Sequence, residues 1–175
     1  MVAQAVLNQT DLDQIWFVVS PQNPHKKSKS LLHEFDRLDM VERAIEDNFK
    51  FKSCDIEFHL SKPSYTIDTL TYLQEKYPQH EFSLIMGEDN LKSFHKWKNY
   101  EYILQHHDIY IYPRISEESE NLELKNHLRI HKIDAPIVEI SSTFIRDSIK
   151  NKKNIRPLLP HNVWEYVDHN NFYRK

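Results

Sequence analysis

The sequence predicts a doubly wound α/β fold with a mainly parallel sheet. Apolar runs of strand length alternate along the chain with segments of helical period, the pattern of repeated βαβ units. The 175 residues suffice for one core of sheet and helices and are few for two independent large domains, so one domain over 1–175 is expected, with 142–175 as its C-terminal helical part. The third observation is chemical. Polar, hydroxyl-rich and basic residues collect where predicted strands end or helices begin, the place where ligands enter such a sheet.

In chain order, residues 14–20 (QIWFVVS) read as the first strand. Leu31, Phe35, Leu38, Val41 and Ile45 then recur at spacings of three and four, an amphipathic helix. Residues 51–58 (FKSCDIEF) form the next strand, followed by a helix carrying Ile67, Leu70, Leu73 and Tyr77. Strands are expected at 82–86, 108–112 and 137–140 (IVEI), and helices at 100–105, 143–150 and 163–169. Residues 115–126 are acidic and loop-like, and 151–154 form a short polar connection.

Composition narrows the function. The longest apolar run, 15–19, is far below the roughly 20 residues of a membrane span, and no charged-then-apolar leader opens the sequence, which points to a cytoplasmic protein without membrane partners. Cys54 is the single cysteine and reads as a small buried hydrophobe rather than a nucleophile. A net charge of −3 lacks the basic stripe of a nucleic-acid surface. The basic residues nonetheless cluster at His25, Lys26, Lys27 and Lys29 and again at Arg146, Lys150, Lys152, Lys153 and Arg156, which suits an anionic small molecule or an ordinary solvated surface. The eleven histidines are scattered without metal-ligand spacing, so no protein-ligated metal is expected. Gly87 is the only glycine, so a glycine-rich phosphate loop is not part of this sequence.

Four segments carry the chemistry. In 20–27 (SPQNPHKK) two prolines stiffen a loop that presents Asn23 and Lys26 to a phosphate or ribose, or make a rigid surface turn. Ser64, Tyr65 and Thr66 open a helix, where Ser64 or Thr66 serves as an N-cap or the free N–H groups take an anion. In 86–97 (MGEDNLKSFHKW), Gly87 permits a sharp bend, Asp89 can accept from ribose hydroxyls, and Trp97 offers a stacking face or a core contact. In 140–146 (ISSTFIR), Ser141, Ser142 and Thr143 sit at a helix start with Arg146 on the same face, suited to a triphosphate or to ordinary capping.

Together, in this order and spacing, these segments resemble the bacterial nicotinate mononucleotide adenylyltransferases over nearly the whole chain. The resemblance implies a Rossmann-like fold and transfer of the adenylyl group of ATP to nicotinate mononucleotide in NAD biosynthesis, with Mg²⁺ bound through ATP. It implies that Asn23 and Lys26 bind the mononucleotide, Tyr65, Thr66 and Trp97 the nicotinate ring, Gly87 and Asp89 a ribose, and Ser141, Ser142, Thr143 and Arg146 the ATP phosphates, with Arg146 catalytic. Members of that family begin with a strand and a His-x-Gly-His loop. Here no histidine precedes a glycine, and residues 2–7 (VAQAVL) look like the middle of the helix that follows such a loop. The first strand is therefore expected to be missing, with the native start upstream of Met1 and the chain as written weakly active or inactive. Lys98 also stands where the family carries tyrosine. A non-catalytic nucleotide-binding protein on the same fold, or an enzyme for another phosphate acceptor, is the alternative, and a homo-oligomer is left open.

Overall fold

A computed structural model describes residues 1–21, 31–114, 124 and 126–174. Helix α1 (Val2–Gln9) leads into strand β1 (Ile15–Val18), helix α2 (Glu34–Ile45) and strand β2 (Phe51–Cys54). Helix α3 (Thr66–Lys76), strand β3 (Leu84–Gly87), the short α4 (Glu88–Leu91), α5 (Tyr100–His106) and strand β4 (Ile109–Tyr112) follow. Strand β5 (Ile130–Lys132), α6 (Ser142–Lys150) and α7 (His161–His169) complete the described elements.

All strand pairings are parallel, as the βαβ pattern requires. The sheet is nevertheless in two parts: β1 pairs with β2, while β3, β4 and β5 pair in that order. Among the described residues β1 and β3 have no ladder partner on their facing edges. A cavity of about 1120 Å³ lies between them, lined by residues of both strands, including Trp16, Phe17, Leu84 and Ile85.

Helices cover both faces. On one, α1 buries Val6 and Leu7 with Ile15, Ile133 and Ala135, and Phe17, Ile85 and Tyr110 pack against that cluster. On the other, α3 sets Ile67 and Leu70 against Met86, Ile109 and Ile111, and its third apolar residue, Leu73, against Cys54 and Ile56 beside β2. The spacing of three along α3 puts these residues on one face, which explains why that helix spans both halves. Helices α6 and α7 bury Ile149, Ile155, Val163 and Val167 with Met40 of α2. Tyr166 of α7 donates to Asp36 at 3.3 Å and stacks under Arg43, whose guanidinium lies 4.6 Å from the ring centre. No helix among the described residues is long and apolar enough to cross a membrane.

Three local expectations fail. Residues 137–140 form no strand: Ile137 and Ile140 are exposed, and the third strand of the second half is Ile130–Lys132, where only Ile130 is buried. A β-branched run without a neighbouring edge has no ladder to join, whereas a short edge strand needs only one buried face. The strand expected over 51–58 stops at Cys54, and 56–59 turn as a 3₁₀ helix that buries Ile56. The helix expected from Leu31 starts at Glu34, capped by His33, whose ring nitrogen accepts from the Phe35 N–H at 3.5 Å.

Candidate functional site

The start of α3 is set from below by Glu57. One of its carboxylate oxygens accepts from Ser64 Oγ at 2.6 Å and the other from Thr69 Oγ1 at 2.7 Å, and both hydroxyl residues are buried. Ser64 is thus committed to Glu57 and is not the cap. The N-cap position belongs to Tyr65, which makes no side-chain capping bond, and Thr66 is the first helical residue. By position the first N–H groups of α3 lack intrahelical acceptors, as an anion site requires.

Trp97 reaches the same place through Lys98. The Lys98 ammonium lies 2.9 Å from Asp68 Oδ1 in the first turn of α3 and 4.9 Å from the centre of the Tyr65 ring. Tyr65 and Trp97 are both half-buried against the cluster of Phe94, Ile103 and Ile109, and Trp97 meets Phe94 edge to face at 5.5 Å. Trp97 is therefore a packed residue with part of its ring open. Lys98, the departure from the resembling motif, ties the two aromatic segments together.

Gly87 is not needed for a bend. Its φ of −72° and ψ of 149° suit any residue, and a Cβ there would meet the Asp89 carboxylate and sit 3.3 Å from Arg114 Cδ and Nε, side-chain atoms that can shift to admit it. The carboxylate of Asp89 lies 3.8 Å from Arg114 Nη1, and both side chains are about half exposed. Arg114 follows β4, at the carboxyl edge of the sheet. No motif marks it, and its position after a strand is the only signal in the residue order.

At α6 the cap is Ser141, whose Oγ accepts from the Phe144 N–H at 3.1 Å. Ser142 and Thr143 occupy the first turn and are exposed. Arg146 turns back along this face, donating from Nη2 to Thr143 Oγ1 at 3.0 Å. The Tyr173 hydroxyl is raised in pKa by burial, against the opposing pull of the nearby Arg146 and Arg37 guanidiniums. Arg37 was missed by sequence reasoning, since a helical arginine is usually a solvated one. It donates to the carbonyl oxygens of Ser20 at 2.5 Å, Pro21 at 3.2 Å and Leu32 at 3.1 Å. It therefore pins both flanks of 22–30, and desolvation in that position lowers its pKa. Asn23 and Lys26 lie outside the described residues.

The expected residues thus fall into two groups. Trp97, Gly87 and Asp89 stand on the β3–β4–β5 half, and Tyr65 and Thr66 meet Trp97 at the start of α3, the helix that spans both halves. Ser141, Ser142, Thr143 and Arg146 stand on α6, which packs with α7 against α2 and so belongs to the β1–β2 half. Cys54 is buried, and burial raises its thiol pKa, in keeping with a packing role.

Comparison with known proteins places this geometry in a family. Residues 1–148 match the cytidylyltransferase-like family. A probable nicotinate-nucleotide adenylyltransferase of Flavobacterium johnsoniae is 66% identical over 175 residues, covering 100% of this chain and 91% of the relative. The corresponding protein of Flavobacterium psychrophilum is 58% identical over the same coverage. Among solved structures, the nicotinic acid mononucleotide adenylyltransferase of Plasmodium falciparum complexed with NaAD has a TM-score of 0.81 at 22% identity, covering 99% of this chain and 89% of that one. That likeness shows the shared Rossmann-type α/β fold. With the matched residues and the relatives together, the chain belongs to the nicotinate-nucleotide adenylyltransferase family within the cytidylyltransferase-like group.

Proposed function

We propose that this chain transfers the adenylyl group of ATP to nicotinate mononucleotide, forming nicotinate adenine dinucleotide and pyrophosphate as a cytoplasmic step of NAD biosynthesis. The observation that carries the proposal is the joined aromatic site: Tyr65 and Trp97 flank a helix start and are linked through Lys98 and Asp68. A half-open indole beside unpaired N–H groups suits a flat ring bearing a carboxylate. The names of the curated relatives and the bound NaAD of the Plasmodium structure point the same way.

In the reaction an oxygen of the mononucleotide phosphate attacks the α-phosphorus of ATP. A P–O bond forms there as the bond to the β-phosphate oxygen breaks, and pyrophosphate leaves with that electron pair. The attacking phosphate is already anionic, so no protein nucleophile is needed. The protein contributes alignment and positive potential. Ser141, Ser142 and Thr143 offer hydroxyls and N–H groups to the ATP phosphates, and Arg146, held by Thr143, neutralises charge that grows on them. Asp89, oriented by Arg114, accepts from ribose hydroxyls in the space that Gly87 leaves. Asn23 and Lys26 take the mononucleotide phosphate. Mg²⁺ held on the nucleotide would supply further charge neutralisation, and the basic and N–H donors at α6 leave the phosphate oxygens to do that binding.

The test is pyrophosphate release from ATP, with the dinucleotide identified by mass spectrometry, using nicotinate mononucleotide and nicotinate mononucleoside in parallel. Dinucleotide formed only from the phosphorylated substrate supports the reaction. Pyrophosphate release unaffected by the mononucleotide overturns it.

A further inference from the structure

Given the ring site proposed above, on which this assignment rests, we propose that Lys98, acting through Asp68, sets the preference of that site for a pyridine ring bearing a carboxylate over one bearing a neutral amide. The Lys98 ammonium lies 2.9 and 3.0 Å from the two carboxylate oxygens of Asp68, a residue 30 positions away in sequence. It also lies 4.9 Å from the centre of the Tyr65 ring, and Tyr65 holds the N-cap position of α3. Lys98 directly follows Trp97, the other aromatic residue of the site.

The backbone presents this lysine in one direction. The Tyr100 N–H donates to the Trp97 carbonyl oxygen at 3.2 Å, closing a tight turn with Lys98 and Asn99 at its centre. Asn99 is left-handed, with φ 51° and ψ 40°, a conformation asparagine adopts more readily than most residues. Trp97 and Tyr100, on either side of the turn, both pack against Phe94 and its core cluster. The turn is thereby fixed, and Lys98 reaches from it to the first turn of α3.

Charge arithmetic decides what the pair does there. In the first turn of α3 the Asp68 carboxylate favours the helix through its dipole, at the same positive end that an anionic ligand group would use. Alone, Asp68 would repel a ring carboxylate arriving at that helix start. As an ion pair between side chains 45% and 42% exposed, Lys98 and Asp68 add little to stability. What the pair changes is the potential at the helix start: Lys98 cancels a repulsion that a carboxylate would feel and a neutral amide would not.

The test is calorimetric binding of nicotinate mononucleotide and of its amide analogue to the parent, Lys98→Met, Lys98→Arg, Asp68→Asn and the double variant Lys98→Met/Asp68→Asn. Lys98→Met is expected to weaken binding of the acid about tenfold and to leave the amide within about a factor of two. Lys98→Arg is expected to keep the parent's preference, Asp68→Asn to bind the acid at least as well as the parent, and the double variant to regain most of what Lys98→Met loses. Salt near about 1 M is expected to shrink the loss in Lys98→Met, because screening acts on the uncovered Asp68 charge. Melting curves are expected to agree among the variants. Equal weakening of both mononucleotides with no recovery in the double variant would make Lys98 a clamp on Tyr65 and overturn the proposal, as would an unchanged preference in Lys98→Met. A parent that binds neither mononucleotide removes the ring site itself and the proposal with it, so failure of the site and failure of the Lys98 assignment are told apart in the parent.

Discussion

The two ends of the candidate site are built differently. The ring end is part of the core: Tyr65 and Trp97 lean on Phe94 and Ile103, Glu57 fixes the start of α3 through two hydroxyls, and Lys98 closes the group. The phosphate end is a surface turn. Ser141, Ser142 and Thr143 are exposed, and Arg146 is held by one bond to a residue three positions back. The first end is shared between the β3–β4–β5 half and α3, which spans both halves, and the second rides on the helices that pack over α2. A substitution at the ring end must therefore disturb folding together with binding, whereas one at the phosphate end can be felt in turnover alone.

The largest expected effect separates those cases most cleanly. Arg146→Ala is expected to lower turnover by roughly 10²–10³-fold, the scale for losing one preorganised donor to a charged transition state. Its melting curve is expected to match the parent, since surface changes usually stay within about 0.5 kcal/mol. Activity within a factor of two of the parent would remove Arg146 from the catalytic group. Trp97→Ala is expected to act on both properties, lowering stability by about 2 kcal/mol and raising KM for nicotinate mononucleotide about tenfold with little change in KM for ATP. Equal changes in both KM values would make Trp97 a core residue only.

A smaller change tests the support beneath the ring end. Glu57→Gln keeps the shape but weakens two charge-assisted bonds, so chemical denaturation is expected to show a loss of about 1–2 kcal/mol, with KM for the mononucleotide rising and kcat nearly constant. A lowered kcat at unchanged KM would place Glu57 in the chemistry instead. The smallest effect concerns the helices behind Arg146. Burial, followed by a hydrogen bond with Asp39, pushes the Tyr166 hydroxyl up to about 12. Tyr166 keeps its proton in the folded state after an unfolded tyrosine, at about 10, has lost it, so stability is expected to fall between about pH 10 and 12. Tyr166→Phe is expected to flatten that fall, and an unchanged slope would assign it to other groups.

Much of this arrangement was readable in residue order because periodicity reports burial. The spacing of Ile67, Leu70 and Leu73 located α3, and the apolar runs located β1, β3 and β4. Residues 137–140 misled for a physical reason. β-Propensity describes fit to a pleated surface, and Ile137 and Ile140 have no such surface beside them. The aromatic and hydroxyl residues proposed for the site were read from their places at element ends, and Tyr65, Thr66, Ser141, Ser142 and Thr143 do stand at helix starts. Arg37, Glu57, Lys98 and Arg114 were not, because each acts through a partner distant in sequence, such as Ser20, Thr69, Asp68 or Asp89. Gly87 does not make the bend expected of it, since its φ of −72° and ψ of 149° suit any residue; the Asp89 and Arg114 side chains that crowd it are a tertiary fact.

The central reading is that the chain joins the adenylyl group of ATP to nicotinate mononucleotide, with Tyr65 and Trp97 at the ring and Arg146 at the phosphates. The most direct measurement is nicotinate-mononucleotide-dependent pyrophosphate release by the parent, Trp97→Ala and Arg146→Ala over a range of both substrates. The expected result is a KM for the mononucleotide raised by Trp97→Ala alone and a kcat lowered roughly 10²–10³-fold by Arg146→Ala. Pyrophosphate release that does not depend on the mononucleotide, or two variants with the same kinetic profile, would contradict it.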